Sequence, residues 1–91
     1  MMSFRKQAFS ATYIFDDTGF TIEHKYGTTH YDFDQIKHVT MVIPDENMIF
    51  YILNVFTEKE RYTISFMMQK ELCENIYEFM HARLPKKDTE D

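Results

Sequence analysis

Short alternating runs separated by turn signals fill residues 8–67, and one amphipathic pattern over residues 69–84 closes the chain. That order restricts the fold more than any single motif does. Consecutive strands joined by short turns form antiparallel sheet, and a lone terminal helix must cover one face or end of it. The expected class is α+β, a strongly bent antiparallel sheet or partial barrel of about six strands with one C-terminal helix. A chain of 91 residues makes one domain. At this size folding buries roughly 60–65% of the surface of the extended chain, so the core is thin. Nine Phe, six Tyr and seven Met offset that, and only two Gly and two Pro argue against disorder over the body of the chain.

From Phe9 the alternation is sharp: Phe9, Ala11, Tyr13 and Phe15 share a side, opposite Ser10 and Thr12. Asp16-Asp17-Thr18-Gly19 supplies a turn, because Asp closes local hydrogen bonds and Gly tolerates positive φ. Phe20, Ile22, His24 and Tyr26 alternate with Thr21, Glu23 and Lys25, and Gly27 marks the next turn. Thr29, Tyr31 and Phe33 face one way, His30, Asp32 and Asp34 the other. Phe33, Ile36 and Val39 are then spaced by three, which predicts a bulge or one helical turn. Asp34 is the expected cap of that turn. Strand resumes over Lys37–Ile43, and Pro44-Asp45-Glu46-Asn47 ends it. Met48–Thr57 is almost continuously apolar and reads as a strand covered on both faces. Glu58-Lys59-Glu60 turns the chain into Arg61–Met67, with Tyr62, Ile64 and Phe66 inward. Residues 1–7 show no period and are expected to fray or to add an edge. Leu72, Ile76, Phe79 and Met80 recur at helical spacing, widened by Cys73, Tyr77 and Leu84. Pro85 stops the helix, and residues 86–91 form a charged tail.

The stretch Tyr13-Ile14-Phe15-Asp16-Asp17-Thr18-Gly19-Phe20-Thr21-Ile22 resembles the opening hairpin of small bacterial pleckstrin-homology-like (PH-like) domains. Tyr31-Asp32-Phe33-Asp34-Gln35-Ile36-Lys37-His38-Val39 is similar to their aromatic-x-Asp-x-Ile-x-x-Val segment. The resemblance covers about residues 9–84. It implies a bent sheet stoppered by the helix and a role in binding or assembly, often beside membrane segments. Six strands fall one short of the seven in a full PH barrel, so an open edge is expected, and with it a homodimer. Members that bind phosphoinositides do so through basic residues of the first hairpin loop. Read as Asp16-Asp17-Thr18-Gly19, that loop is acidic here, which argues against a phosphoinositide.

The net charge of −5 argues against nucleic acid, whose binding draws on phosphate neutralisation. No apolar run approaches the ~20 residues of a membrane span. A solitary Cys73 and no recognisable leader suggest a cytoplasmic protein. Candidate sites have simpler structural roles. His30, Asp32 and Asp34 share a strand face, but their ~6.5–7 Å steps keep them from one ion without a bulge. Asp16-Asp17 and Asp45-Glu46 lack the rest of a calcium loop. Cys73 and His81 stand eight positions apart on the helix, ~12 Å of rise, so the thiol packs as a small hydrophobe. Lys25, Lys37, Lys59 and Arg61 lie near hairpin ends.

No cofactor, metal or catalysis is expected. The apolar surplus leaves two alternatives: a sheet curled enough to hide both faces, or a patch that meets a partner. Tyr51, Leu53 and Val55, with Met67 and Met68 beside them, are the residues expected to anchor a protein partner or a second copy. The alternative function is a small acidic inhibitor, phage-encoded in some known cases, that occludes a basic nucleic-acid-binding groove of a target.

Overall fold

The computed structural model describes residues 3–43 and 49–85. The expected turn at residues 44–47 and the tail at 86–91 lie outside the described residues. Among the described residues there are seven strands, one more than the pattern predicts. They are β1 (Ser3–Gln7), β2 (Ala11–Asp16), β3 (Gly19–His24), β4 (Gly27–Tyr31), β5 (Ile36–Val42), β6 (Phe50–Thr57) and β7 (Arg61–Met67). Helix α1 (Lys70–Arg83) follows. The extra strand is β1, which pairs antiparallel with β2 from Ser3↔Asp16 to Gln7↔Thr12. Alternation hid it because one of its inward positions is a lysine. Phe4 packs edge-on against Phe79 at 5.3 Å between ring centres, while the Lys6 ammonium lies 5.2 Å from the centre of the Phe66 ring. A lysine stem covers apolar surface as well as many hydrophobes do.

Among the described residues the ladders form two meanders, β1-β2-β3-β4 and β5-β6-β7, and no ladder joins one to the other. The sheet is therefore divided, not closed into a barrel. The break falls at Phe33–Gln35, a 3₁₀ turn where the predicted slip in alternation occurs. A register shift between Ile36 and His38 follows it, so turn and bulge are both present. The cap is Asp32, not Asp34. Gln35 accepts the Asp32 N–H through Oε1 at 2.8 Å and donates its own N–H to the Asp32 carbonyl at 2.9 Å. Asp34 points outward because the closing contacts are made by the residues on either side of it.

Side chains hold the two sheets together. Phe20 stacks on Phe15 at 5.0 Å and meets the edge of Tyr62 from the other sheet at 5.6 Å. The Tyr31 and Tyr62 hydroxyls are 2.8 Å apart and share a hydrogen bond. Helix α1 lies on the three-stranded sheet and inserts Cys73, Ile76, Phe79 and Met80. The core joins these to Phe15, Phe20, Ile22, Ile36, Val39, Tyr51, Leu53, Val55, Ile64 and Phe66. None of the described helices is long and apolar enough to cross a membrane.

Gln69 precedes the helix without capping it, as the missing Ser, Thr, Asp or Asn predicts. Its side chain instead accepts the Lys6 Nζ at 2.6 Å. Met68 before it has φ +57, a left-handed conformation that costs a long side chain energy. At the other end Arg83 donates Nε–H to Asp17 at 3.3 Å and stacks over Phe79 at 3.8 Å. The helix is pinned to the first sheet at both ends.

Candidate functional site

The expected docking residues separate into two groups. Tyr51, Leu53 and Val55 are buried, at 5%, 0% and 0% exposure, and form the inner face of β6 beneath the helix. The surface expected of them is therefore corrected: the strand is in the opposite phase, and its outer face is Phe50, Ile52, Asn54 and Phe56. Along that outer face Asn54 bonds Thr40 and Thr63, and His38 stacks on Phe56 at 4.2 Å. Met67 and Met68 are exposed, as a docking role requires, at 58% and 79%.

Six further apolar residues are exposed: Phe9, Tyr26, Val42, Ile43, Ile49 and Phe50. With the two methionines they form two groups, one at the hairpin tips of the first sheet and one, the apolar end, at the paired strand ends of the second. Ala11 pairs with His24 and His24 with Gly27, so the tips carrying Phe9 and Tyr26 stand side by side. Phe50 pairs with Met67, Val42 with Ile52, and the Met68 N–H donates to the Ile49 carbonyl at 2.7 Å. Lys6, spanning Phe66 and Gln69, ties β1 of the first sheet to the strand end that carries the second group. These residues escaped sequence reading because periodicity says nothing about turns. The available signal was a large apolar residue inside a turn, at Phe9 and Tyr26, where no core can receive it.

The opposite end is polar. Asp16 Oδ1 accepts the Thr18 N–H at 2.9 Å and hydroxyl at 2.6 Å, and these bonds, the hydroxyl's first, lower its pKa below the usual carboxylate value. His30 lies 2.7 Å from the Thr21 hydroxyl through Nδ1, and through Nε2 3.2 Å from the Thr18 carbonyl and 3.1 Å from Asp32. These contacts tie the turn to β4 and give His30 and Asp32 a structural use. Among the described residues no three His, Cys, Asp or Glu side chains group closely enough to hold an ion. Asp45 and Glu46 lie outside the described residues. His24, expected on an apolar face, is exposed and accepts the Tyr26 N–H through Nδ1 at 3.3 Å. The acidic turn that argued against phosphoinositides belongs to the second hairpin. The first hairpin loop is Ala8-Phe9-Ser10, with Lys6 before it and Lys25 across from it.

A cleft of about 390 Å³ between β1 and α1 is lined by Phe4, Asn75, Glu78, Phe79, Ala82 and Arg83. Its cation is already held by Asp17 and Phe79. Cys73 is fully buried, and burial, followed by the nearby Glu74 charge, pushes its thiol up to about 11. The fold thus favours the neutral thiol. This contribution to stability is complete below the ordinary thiol pKa and is lost as pH rises toward 11. At pH 8 about one thiol in a thousand is ionised in the native chain. A disulfide reagent should therefore label the native protein at least about 100-fold more slowly than the urea-unfolded chain. Comparable rates would show that the thiol is accessible.

Compared with protein-family models, with curated proteins and with solved structures, the chain matches none of them.

Proposed function

We propose that this chain is a non-enzymatic protein-binding or assembly module of PH-like fold, and that it holds its partner with the apolar end. One observation carries the reading: of the eight large hydrophobics exposed among the described residues, six, Val42, Ile43, Ile49, Phe50, Met67 and Met68, gather at the paired strand ends of the three-stranded sheet. Scattered single exposures need no function, whereas a contiguous patch is a docking surface or a liability. Two methionines within it can adapt their shape to a partner. The PH-like reading is supported by a four-stranded meander, a three-stranded meander and a terminal helix in that order, and by seven strands.

A photoactivatable benzophenone side chain at position 67, in the apolar end, tests this in living cells. The same probe at position 58, in the β6–β7 turn at the opposite end, is the control. Position 67 should give discrete cross-linked protein species and position 58 none. Equal yields from both would end the proposal.

A further inference from the structure

Among the described residues, strand β1 has a ladder neighbour on one side alone, β2, and so forms an edge of the four-stranded sheet. In an antiparallel pair, alternate residues bond the neighbour and the others turn their main-chain groups outward. The Ala8 N–H donates to the Ala11 carbonyl at 2.8 Å and so sets the phase. Counting back by two, Lys6 and Phe4 bond β2, whereas Ser3, Arg5 and Gln7 present their N–H and C=O groups away from it. Among the described residues these outward groups have no main-chain partner. The cleft of about 390 Å³ lies on this free side, since Phe4 and residues of α1 line it and no described residue of β2 does. We propose that the free side of β1 is a strand-addition site, where an extended segment of another protein, alternately apolar and basic, pairs with Ser3, Arg5 and Gln7 and fills the cleft beside α1. The site is separate from the apolar end and goes beyond the reading given above.

The helix stands beside the strand at a distance that leaves this space. Lys6 meets Gln69 just before the helix and Phe4 meets Phe79 within it. Asp17, next to the Ser3 partner Asp16, meets Arg83 at its end. Strand and helix therefore run side by side in opposite directions, ~17 Å of one along ~21 Å of the other. The packing of α1 is on β5, β6 and β7, and it reaches the first sheet through these side chains. An added strand lies ~4.8 Å from β1, with its inward side chains on Phe4, Phe79 and Ala82.

Charge and composition decide the occupant. Glu71, Asn75, Glu78 and Ala82 share one exposed stripe of α1, and the last three line the cleft. Neither glutamate has an ion-pair partner among the described residues. The basic side chains nearby are engaged: Arg83 with Asp17 at 3.3 Å, Arg5 with Glu23 at 3.8 Å, and Lys6 with Gln69 at 2.6 Å. Lys70 stands ~100° round the helix from Glu71. An incoming lysine or arginine thus meets carboxylates that nothing in the chain offsets. A second copy is the poorer occupant, since β1 laid against β1 sets Arg5 and Lys6 near their like-charged counterparts. Residues 86–91 of this chain hold no apolar side chain to offer Phe4 and Phe79.

A fluorescein-labelled hexapeptide of alternating valine and lysine tests this by fluorescence anisotropy against the full chain. It should bind with a Kd on the order of 100 µM at low salt, and at least about tenfold more tightly than its valine–glutamate analogue. Pairing with β1 leaves a sharper mark. N-methylating all the valines or all the lysines should abolish binding in one case and spare it in the other, because one set of amides alone faces the strand. Ala82→Trp, which fills the cleft, and Glu78→Lys should each weaken binding at least about tenfold with an unchanged circular dichroism spectrum. Both positions are exposed, so the fold survives their replacement. No binding at about 1 mM peptide, equal binding of the acidic analogue, the same result from both methylation patterns, or indifference to Ala82→Trp would overturn the site. So would a mass that rises with concentration and falls back on Ala82→Trp, because the edge would then serve a second copy. Equal cross-linking from positions 67 and 58 removes the apolar-end reading and leaves this one standing.

Discussion

Replacing Phe20 with alanine should cost about 3–5 kcal/mol, the range for a large aromatic removed from a packed interior. Phe20 is fully buried and stacks on Phe15, Tyr13 and Tyr31 at centre distances of 5.0, 6.0 and 6.3 Å. Its contact with Tyr62 crosses from the first sheet to the second. No ladder can take over that work, because none joins the sheets among the described residues. The site cannot collapse around the void either, since the aromatic neighbours are fixed by their own strands. Domains of this size are stable by only about 5–15 kcal/mol, so the variant should be close to unfolding. Urea denaturation followed by circular dichroism would measure the loss. A cost under about 1 kcal/mol would mean that the sheets are joined elsewhere.

Gly19→Ala should be at least as damaging, through backbone and not cavity. Gly19 has φ +133, a conformation that side chains rarely adopt. A Cβ built there would lie 2.1 Å from the Tyr31 carbonyl oxygen and 3.1 Å from the Asp32 Cα. Both are main-chain atoms, so no rotamer change relieves the clash. The β3 start, the β4 end and the 3₁₀ turn would have to separate. A loss of about 4 kcal/mol or more is expected. Gly27→Ala is the informative contrast. Gly27 also has positive φ, at +143, but its added Cβ would meet nothing within 4 Å. Backbone strain alone should then cost about 1–3 kcal/mol. Similar urea midpoints for the two variants would remove the close approach of Gly19 to Tyr31 as a determinant of the fold.

What the sequence made legible follows period and turn chemistry. Strands β2 to β7 and the helix lie where alternation and helical spacing place them, because a half-buried strand and an amphipathic helix write their faces into residue order. The 3₁₀ turn was visible for the same reason, as three-residue spacing at Phe33, Ile36 and Val39. β1 was not, since Lys6 uses its aliphatic stem where a reader expects a hydrophobe. The candidate site was half legible. Met67 and Met68 stood out as apolar excess at the end of a strand, but Tyr51, Leu53 and Val55 were assigned to the wrong face. In an almost continuously apolar run the phase is undetermined by composition. Only the helix, lying over Tyr51, Leu53 and Val55, fixes it. Alternation alone extends the strands to Phe9 and Tyr26, whereas β2 starts two residues after Phe9 and β3 ends two residues before Tyr26.

Every ladder among the described residues connects strands that are neighbours along the chain. The entropy of loop closure is accordingly small for each pairing, and each hairpin can form soon after its residues leave the ribosome. The helix is different, for it must wait until β5, β6 and β7 present a surface. Until Arg83 reaches Asp17 and Lys6 reaches Gln69, the nascent meanders share no fastening to the helix ends. The topology thus permits the strands to pair in the order of their synthesis, with the fourteen residues of the helix packing onto a surface already formed.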